Sequence, residues 1–177
     1  MLKVKLFRLI GSGLFVLGVL LCLYPYLINM VSKENKKMNL LDSELIGTLE
    51  IHKINVNLPI YESTKTEILE VGVGHLSETS LPGNKGTHCV LAGHRGLPNA
   101  DLFIRLGEMT VGDIFYITIQ GQAMSYKVCK IQVIKPEETS KLFARDDGEF
   151  VSLVTCTPYG LNTHRLVVTG ERMEGEE

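Results

Sequence analysis

The chain has 177 residues, 45% of them apolar, enough for one domain with its own core and too few for two comfortable ones. Its 18 basic and 20 acidic residues are mixed throughout and leave a net charge of -2, which excludes the basic footprint of a nucleic-acid binder. One domain with an appendage is the expectation.

The appendage comes first. Residues 1–8 carry Lys3, Lys5 and Arg8, and an uncharged run follows from Leu9 to Val31. As a helix this run is long enough to cross a hydrocarbon core of about 30 Å. Tyr24-Pro-Tyr-Leu-Ile-Asn-Met30 is bulky where a cleaved signal needs small residues, so 9–31 reads as an uncleaved, single-pass membrane anchor. Lys33, Lys36 and Lys37 on the far side reduce the charge asymmetry that sets orientation. The expected arrangement has residues 1–8 in the cytoplasm and the body outside the cell.

Residues 32–45 are polar and charge-rich and read as a tether. From Ile46 the texture changes to short runs of branched and aromatic residues broken by Gly, Pro and Asn, the pattern of strands. The predicted strands are Ile46 to Ile51, Val56 to Tyr61, His88 to His94, Asp113 to Ile119, Met124 to Ile134, Phe150 to Cys156 and His164 to Glu171, enough to close a barrel in an all-β domain over 46–172. Two short connecting helices are expected, Lys65 to Glu70 capped by Thr64, and Ala100 to Leu106 after Asn99. In the long strand the apolar parity passes through Tyr126 and Val128, then through Cys129, Ile131 and Val133, which predicts a bulge near position 128. Residues 173–177 form an acidic tail.

Cys22 lies in the anchor, leaving Cys89, Cys129 and Cys156 as an odd set that argues against a disulfide framework. Cys89 and Cys129, inside strands, read as core cysteines. Cys156 ends a strand and meets Thr157-Pro-Tyr-Gly160, a turn, so its thiol is either reachable by a substrate or a small buried hydrophobe. His94 also ends an apolar strand. It is either a solvated surface group or the proton-handling partner that a cysteine nucleophile needs. Arg165 opens the next strand, and an antiparallel hairpin would bring it beside Cys156. There a guanidinium either stabilises an oxyanion or is a strand-edge arginine. His164 has the opposite parity and is a weaker base candidate. His88, Cys89, His94 and Cys156 match no common zinc spacing, so no metal site and no cofactor are expected.

Thr155-Cys-Thr-Pro-Tyr-Gly-Leu-Asn-Thr-His-Arg165 resembles the cysteine-to-arginine signature of class C sortases, and Leu91-Ala-Gly-His-Arg-Gly-Leu-Pro98 resembles the segment that carries their histidine. The likeness runs from about Leu45 to Arg172 and includes Gly72-Val-Gly-His-Leu76 and Val111-Gly-Asp-Ile-Phe-Tyr116. The resemblance implies a closed eight-stranded sortase barrel. It assigns Cys156 as nucleophile, His94 as general acid or base and Arg165 as oxyanion or substrate stabiliser, with Thr155 and Asn162 as substrate contacts. It also implies substrates that are surface proteins ending in an LPXTG-like sorting signal, cleaved between Thr and Gly to a thioester. A pilin lysine amine would resolve the thioester in class C enzymes. A cell-wall precursor amine is the alternative acceptor, and a non-catalytic tethered binding barrel is the distant one.

Two features depart from the class. Leu41-Asp-Ser-Glu-Leu-Ile-Gly47 contains no proline, so the Asp-Pro-aromatic lid motif is missing, and no second apolar span follows the barrel before Glu177. Some sortases hold calcium, and Glu137, Glu138, Asp146, Asp147 and Glu149 supply carboxylates, read here as solvated loop charge.

Overall fold

Alternation of apolar and polar residues builds the body of the protein. In the computed structural model, β1 (Leu45–Ile51), β2 (Val56–Tyr61), β3 (Val73–His75), β4 (His88–Ala92), β5 (Ile114–Ile119), β6 (Gln122–Ile134), β7 (Phe150–Thr157) and β8 (His164–Arg172) close into a barrel in the order β1-β2-β3-β4-β7-β8-β6-β5. The structure describes residues 2–97, 102–138 and 148–173, with side chains from Leu17 onward. The chain divides into two units, 1–43 and 44–177.

The first unit is helical, formed by α1 (Leu2–Glu44) up to Ser43, and the donor pattern of this helix is interrupted only by Pro25, while its last residue, Glu44, belongs to the second unit. Residues 32–44 continue this helix. Leu20, Leu21, Tyr24, Leu27 and Val31 are exposed along it. No helix among the described residues is long and apolar enough to cross a membrane, and residues 9–16 of the uncharged run lie outside those whose side chains are described.

The second unit is packed by every second strand residue. Leu49 and Ile51 of β1, Phe115 and Ile117 of β5, Val151 and Leu153 of β7 and Val168 of β8 are fully buried and share the interior with Tyr126, Val128 and Leu91. Each such side chain contributes roughly 1.5–3 kcal/mol relative to exposure. The Phe115 and Tyr126 rings stack at 5.5 Å. The Tyr126 hydroxyl donates to the buried Glu149 carboxylate, which also accepts the Gly83 N–H at 2.9 Å. Glu44 anchors the entry to the barrel by accepting from Ser63 and Lys65.

Among the described residues eight strands replace the seven read from the sequence, the addition being β3, a three-residue strand pairing parallel with β2 and antiparallel with β4. The predicted bulge is present, as the β6–β8 register shifts between Val128 and Lys130. The extra residue is Cys129, which corrects its assignment to the core: the bulge turns it outward, exposed, with Sγ 3.4 Å from the Thr169 carbonyl oxygen. Cys89 is fully buried. The first connecting helix is α2 (Thr66–Leu69), and its N-cap is Lys65 without a side-chain bond, not Thr64. Of the second, residues 98–101 lie outside the described set, and a 3₁₀ turn spans Leu106–Glu108.

Candidate active site

Three strands bring the candidate residues to one end of the barrel. β4 and β7 run parallel, with Val90 opposite Ser152 and Ala92 opposite Val154. β7 and β8 run antiparallel, with Ser152 opposite Thr169, Val154 opposite Val167 and Cys156 opposite Arg165. Strand alternation therefore sets Cys156 and Arg165 on one face with Val154 and Val167, away from interior residues Leu153 and Val168. Val90, Val154 and Val167, with Leu76 and Ile134 against them, form a second apolar cluster beneath this row. Further down the same face, Ser152 Oγ lies 2.8 Å from both His88 Nε2 and Thr169 Oγ1.

His94 arrives by continuing β4 past its last pair. The Gly93 N–H donates to the Val154 carbonyl at 3.0 Å, so His94 comes level with Cys156 in the same register. Its own carbonyl then accepts the Phe103 N–H at 3.0 Å and the chain turns away. Glycine is needed at position 93 for close packing, since a Cβ would lie 2.9 Å from the Phe103 ring and 3.1 Å from Val73.

The loop between β7 and β8 opens with a cis Thr157–Pro158 bond and folds back through the Asn162 N–H, which donates to the Pro158 carbonyl at 2.9 Å. Asn162 adopts φ 56°, a left-handed conformation that Asn tolerates. Arg165 Nη1 donates to the carbonyls of Asn162 at 3.2 Å and His164 at 3.1 Å, tying the guanidinium to the loop.

A cavity of ≈ 220 Å³ opens on this rim, lined by His94, Arg95, Gly96, Cys156, Tyr159, Gly160 and Asn162. It brings together the predicted thiol, imidazole and Asn162, with Arg165 across the ladder from Cys156. Thr155 is not part of it. One residue from Cys156 on a strand, its side chain faces the other way and is buried at 2% exposure. His164 bonds Thr163 at 2.9 Å and does not line the cavity. Arg95, to which sequence reasoning gave no role of its own, does line it, and Nη1 donates to Thr157 Oγ1 at 3.0 Å. Asp146 and Asp147 lie outside the described residues, and among those described no cluster of carboxylate, imidazole and thiol groups could hold a metal ion.

A family model described as the sortase domain matches residues 49–173, and the chain belongs to the sortase family. It is 34% identical over 130 residues to Sortase D of Bacillus subtilis (strain 168), covering 72% of this chain and 63% of that protein. It is 30% identical over 140 residues to Sortase SrtE1 of Streptomyces coelicolor, covering 71% of this chain and 40% of that one. The chain thus spans less than two thirds of the length of either relative. Among solved structures, it is similar to sortase C1 of Streptococcus agalactiae, from GBS Pilus Island 1, at 47% identity and a TM-score of 0.73, over 76% of this chain and 68% of that one. Sortase A from Corynebacterium diphtheriae matches at 43% identity and a TM-score of 0.72, over 75% and 62%.

Proposed function

We propose that this chain is a membrane-anchored cysteine transpeptidase of the class C type, which cleaves an LPXTG-like sorting signal between Thr and Gly and joins the acyl group to a pilin lysine. The observation that carries the reading is the row formed at one barrel rim by His94, Cys156 and Arg165, with the first two lining one cavity. The likeness to a sortase C1 from a pilus island supports the class. The uncharged run at 9–31 and the exposed apolar residues of α1 support the anchor, with the barrel outside the cell.

In this reading the Cys156 thiolate attacks the Thr carbonyl carbon, and the charge that develops on its oxygen is met by Arg165. His94 gives a proton to the departing glycine amine as the C–N bond breaks, leaving a thioester on Sγ. The incoming lysine amine then attacks the thioester, His94 takes its proton, and the thiolate leaves with the S–C bond electrons. A guanidinium suits the oxyanion because it is charged at every relevant pH and offers several donors. Asn162 shapes the cavity wall and holds Arg165 through its carbonyl. Because the segment before β1 lacks an Asp-Pro-aromatic motif, the cavity is taken to work without that lid.

The test supplies the purified chain with a sorting-signal protein and either a pilin lysine donor or oligoglycine. Polymer ladders with the pilin alone support the proposal, whereas joining to oligoglycine alone assigns the chain to anchoring on cell-wall precursors. Hydrolysed product alone, even at high amine, makes it a peptidase. Full cleavage by Cys156→Ala removes the nucleophile assignment, and absence of any product from the wild-type chain leaves a binding barrel.

A further inference from the structure

The backbone ladder that aligns β4 with β7 stops one residue short of the chemistry. Its last bond is from the Gly93 N–H to the Val154 carbonyl, and the His94 carbonyl already belongs to Phe103. No backbone hydrogen bond among the described residues joins His94 to Cys156. The next tie in the same register is made by side chains. Arg95 follows His94, Thr157 follows Cys156, and Arg95 Nη1 donates to Thr157 Oγ1 at 3.0 Å. This bond continues the parallel pairing where the backbone has abandoned it.

The guanidinium is held in place from below as well. A Cβ at Gly107 would lie 3.2 Å from Arg95 Nη2, so bare backbone forms the floor on which the group rests. Its Nε is buried without an acceptor among the described residues, which costs free energy. A cation kept at that cost beside a thiol and an imidazole, with no carboxylate among the described residues lining the cavity, forms no ion pair there.

We infer that Arg95 is a positioning residue, which holds His94 level with Cys156 by clamping the end of β4 to Thr157 at the end of β7. The inference rests on the thiol-imidazole reading proposed above. It requires no contact between Arg95 and substrate. A thiol and imidazole held by this clamp keep one separation, and displacement of about 1 Å between such groups is enough to cost up to about 100-fold in rate.

The experiment compares wild type, Arg95→Gln, Thr157→Val, Thr157→Ser and the Arg95→Gln/Thr157→Val pair in the full chain in detergent. Two readouts are followed: kcat and KM for sorting-peptide cleavage, and the rate at which iodoacetamide modifies Cys156, located by mass spectrometry. Arg95→Gln and Thr157→Val are each expected to lower kcat and the alkylation rate about tenfold or more. KM and the urea unfolding midpoint stay unchanged, Thr157→Ser restores most of the rate, and the double variant is no slower than either single one. A slow Arg95→Gln beside a normal Thr157→Val would overturn the clamp, because the guanidinium would then act by charge or substrate contact. Wild-type rates in both singles, or additive losses in the pair, would equally overturn it. Cys156→Ala is the control that separates failures: loss of cleavage there with normal Arg95 and Thr157 variants rejects the clamp alone, and retained cleavage rejects the underlying reading.

Discussion

Cys156 and Arg165 stand directly opposite each other on β7 and β8, yet the guanidinium is engaged by the carbonyls of Asn162 and His164 rather than by the thiol. Arg165 is thus braced by the loop that borders the cavity. Its proposed work, meeting charge on a carbonyl oxygen, uses donors that these two bonds leave free. Arg165→Ala is expected to lower kcat about 100- to 1,000-fold, with Arg165→Lys intermediate. Stability shifts by about 1 kcal/mol or less, since the bonds lost are accessible to water. Stopped-flow cleavage and urea unfolding of the same samples check both halves. An equal loss in stability and rate would make Arg165 a structural brace only.

Gly93→Ala tests whether the path of β4 into the site is set by close packing. The added methyl must displace the Phe103 ring or Val73, so a destabilisation of about 1–3 kcal/mol is expected. The proposed chemistry predicts a slower Cys156 as well, because His94 is the next residue. Thermal unfolding and the alkylation rate are the measurements, and a variant with wild-type values in both would show that the strand end yields freely.

Tyr126→Phe removes the hydroxyl that donates to Glu149 in a buried setting. The carboxylate keeps the Gly83 N–H but loses its partner in the interior, which is expected to cost about 1–3 kcal/mol. The rate of peptide cleavage per folded molecule should not change, since neither residue lines the cavity. Urea midpoints with activity normalised to folded protein decide it.

The Cys89 thiol is pushed up to about 12, chiefly by burial, with the charges of Glu62 and Glu149 adding to the effect. Its proton is therefore held more tightly in the folded than in the unfolded chain. That contribution is complete below the unfolded value near 9.0 and is lost as pH rises toward about 12. Unfolding free energy, measured in urea with reductant at steps between these limits, is expected to fall by about 1.4 kcal/mol per unit from this group. Cys89→Ala should flatten the slope without abolishing it, because burial first and the Glu149 bond second also raise the Tyr126 phenol. Parallel slopes for the two proteins would contradict this account.

Much of the framework was legible because it is written in nearest-neighbour patterns. Val56 to Tyr61 was read with its observed bounds, and the parity change around Val128 announced the bulge. Thiol, imidazole and guanidinium were each found as strand-end residues beside turn chemistry. What was missed depends on partners distant in the chain. β3 is three residues with a central glycine, too short to show alternation, and exists because β2 and β4 pair with it from both sides. Cys129 reads as a core residue from its place within a strand, while the bulge that the parity change predicts turns it outward. Thr155 was readable, since adjacent strand residues face opposite ways. Arg95 was not, because its meaning lies in a register shared with Thr157 that only the folded barrel defines.

The parallel pairing of β4 with β7 also orders events in time. The imidazole is synthesised early, on β4, and the thiol follows only after β5 and β6 have been made. The guanidinium comes later still, on β8, the strand that joins β7 to β6. Pairings between segments so far apart close late in folding. A growing chain therefore carries the imidazole and the thiol separately, and the cavity they line comes into being only when β4 and β7 have paired. On the proposed chemistry, pairing of β4 with β7 is its own activation step, since an unfinished chain presents the Cys156 thiol without His94 beside it.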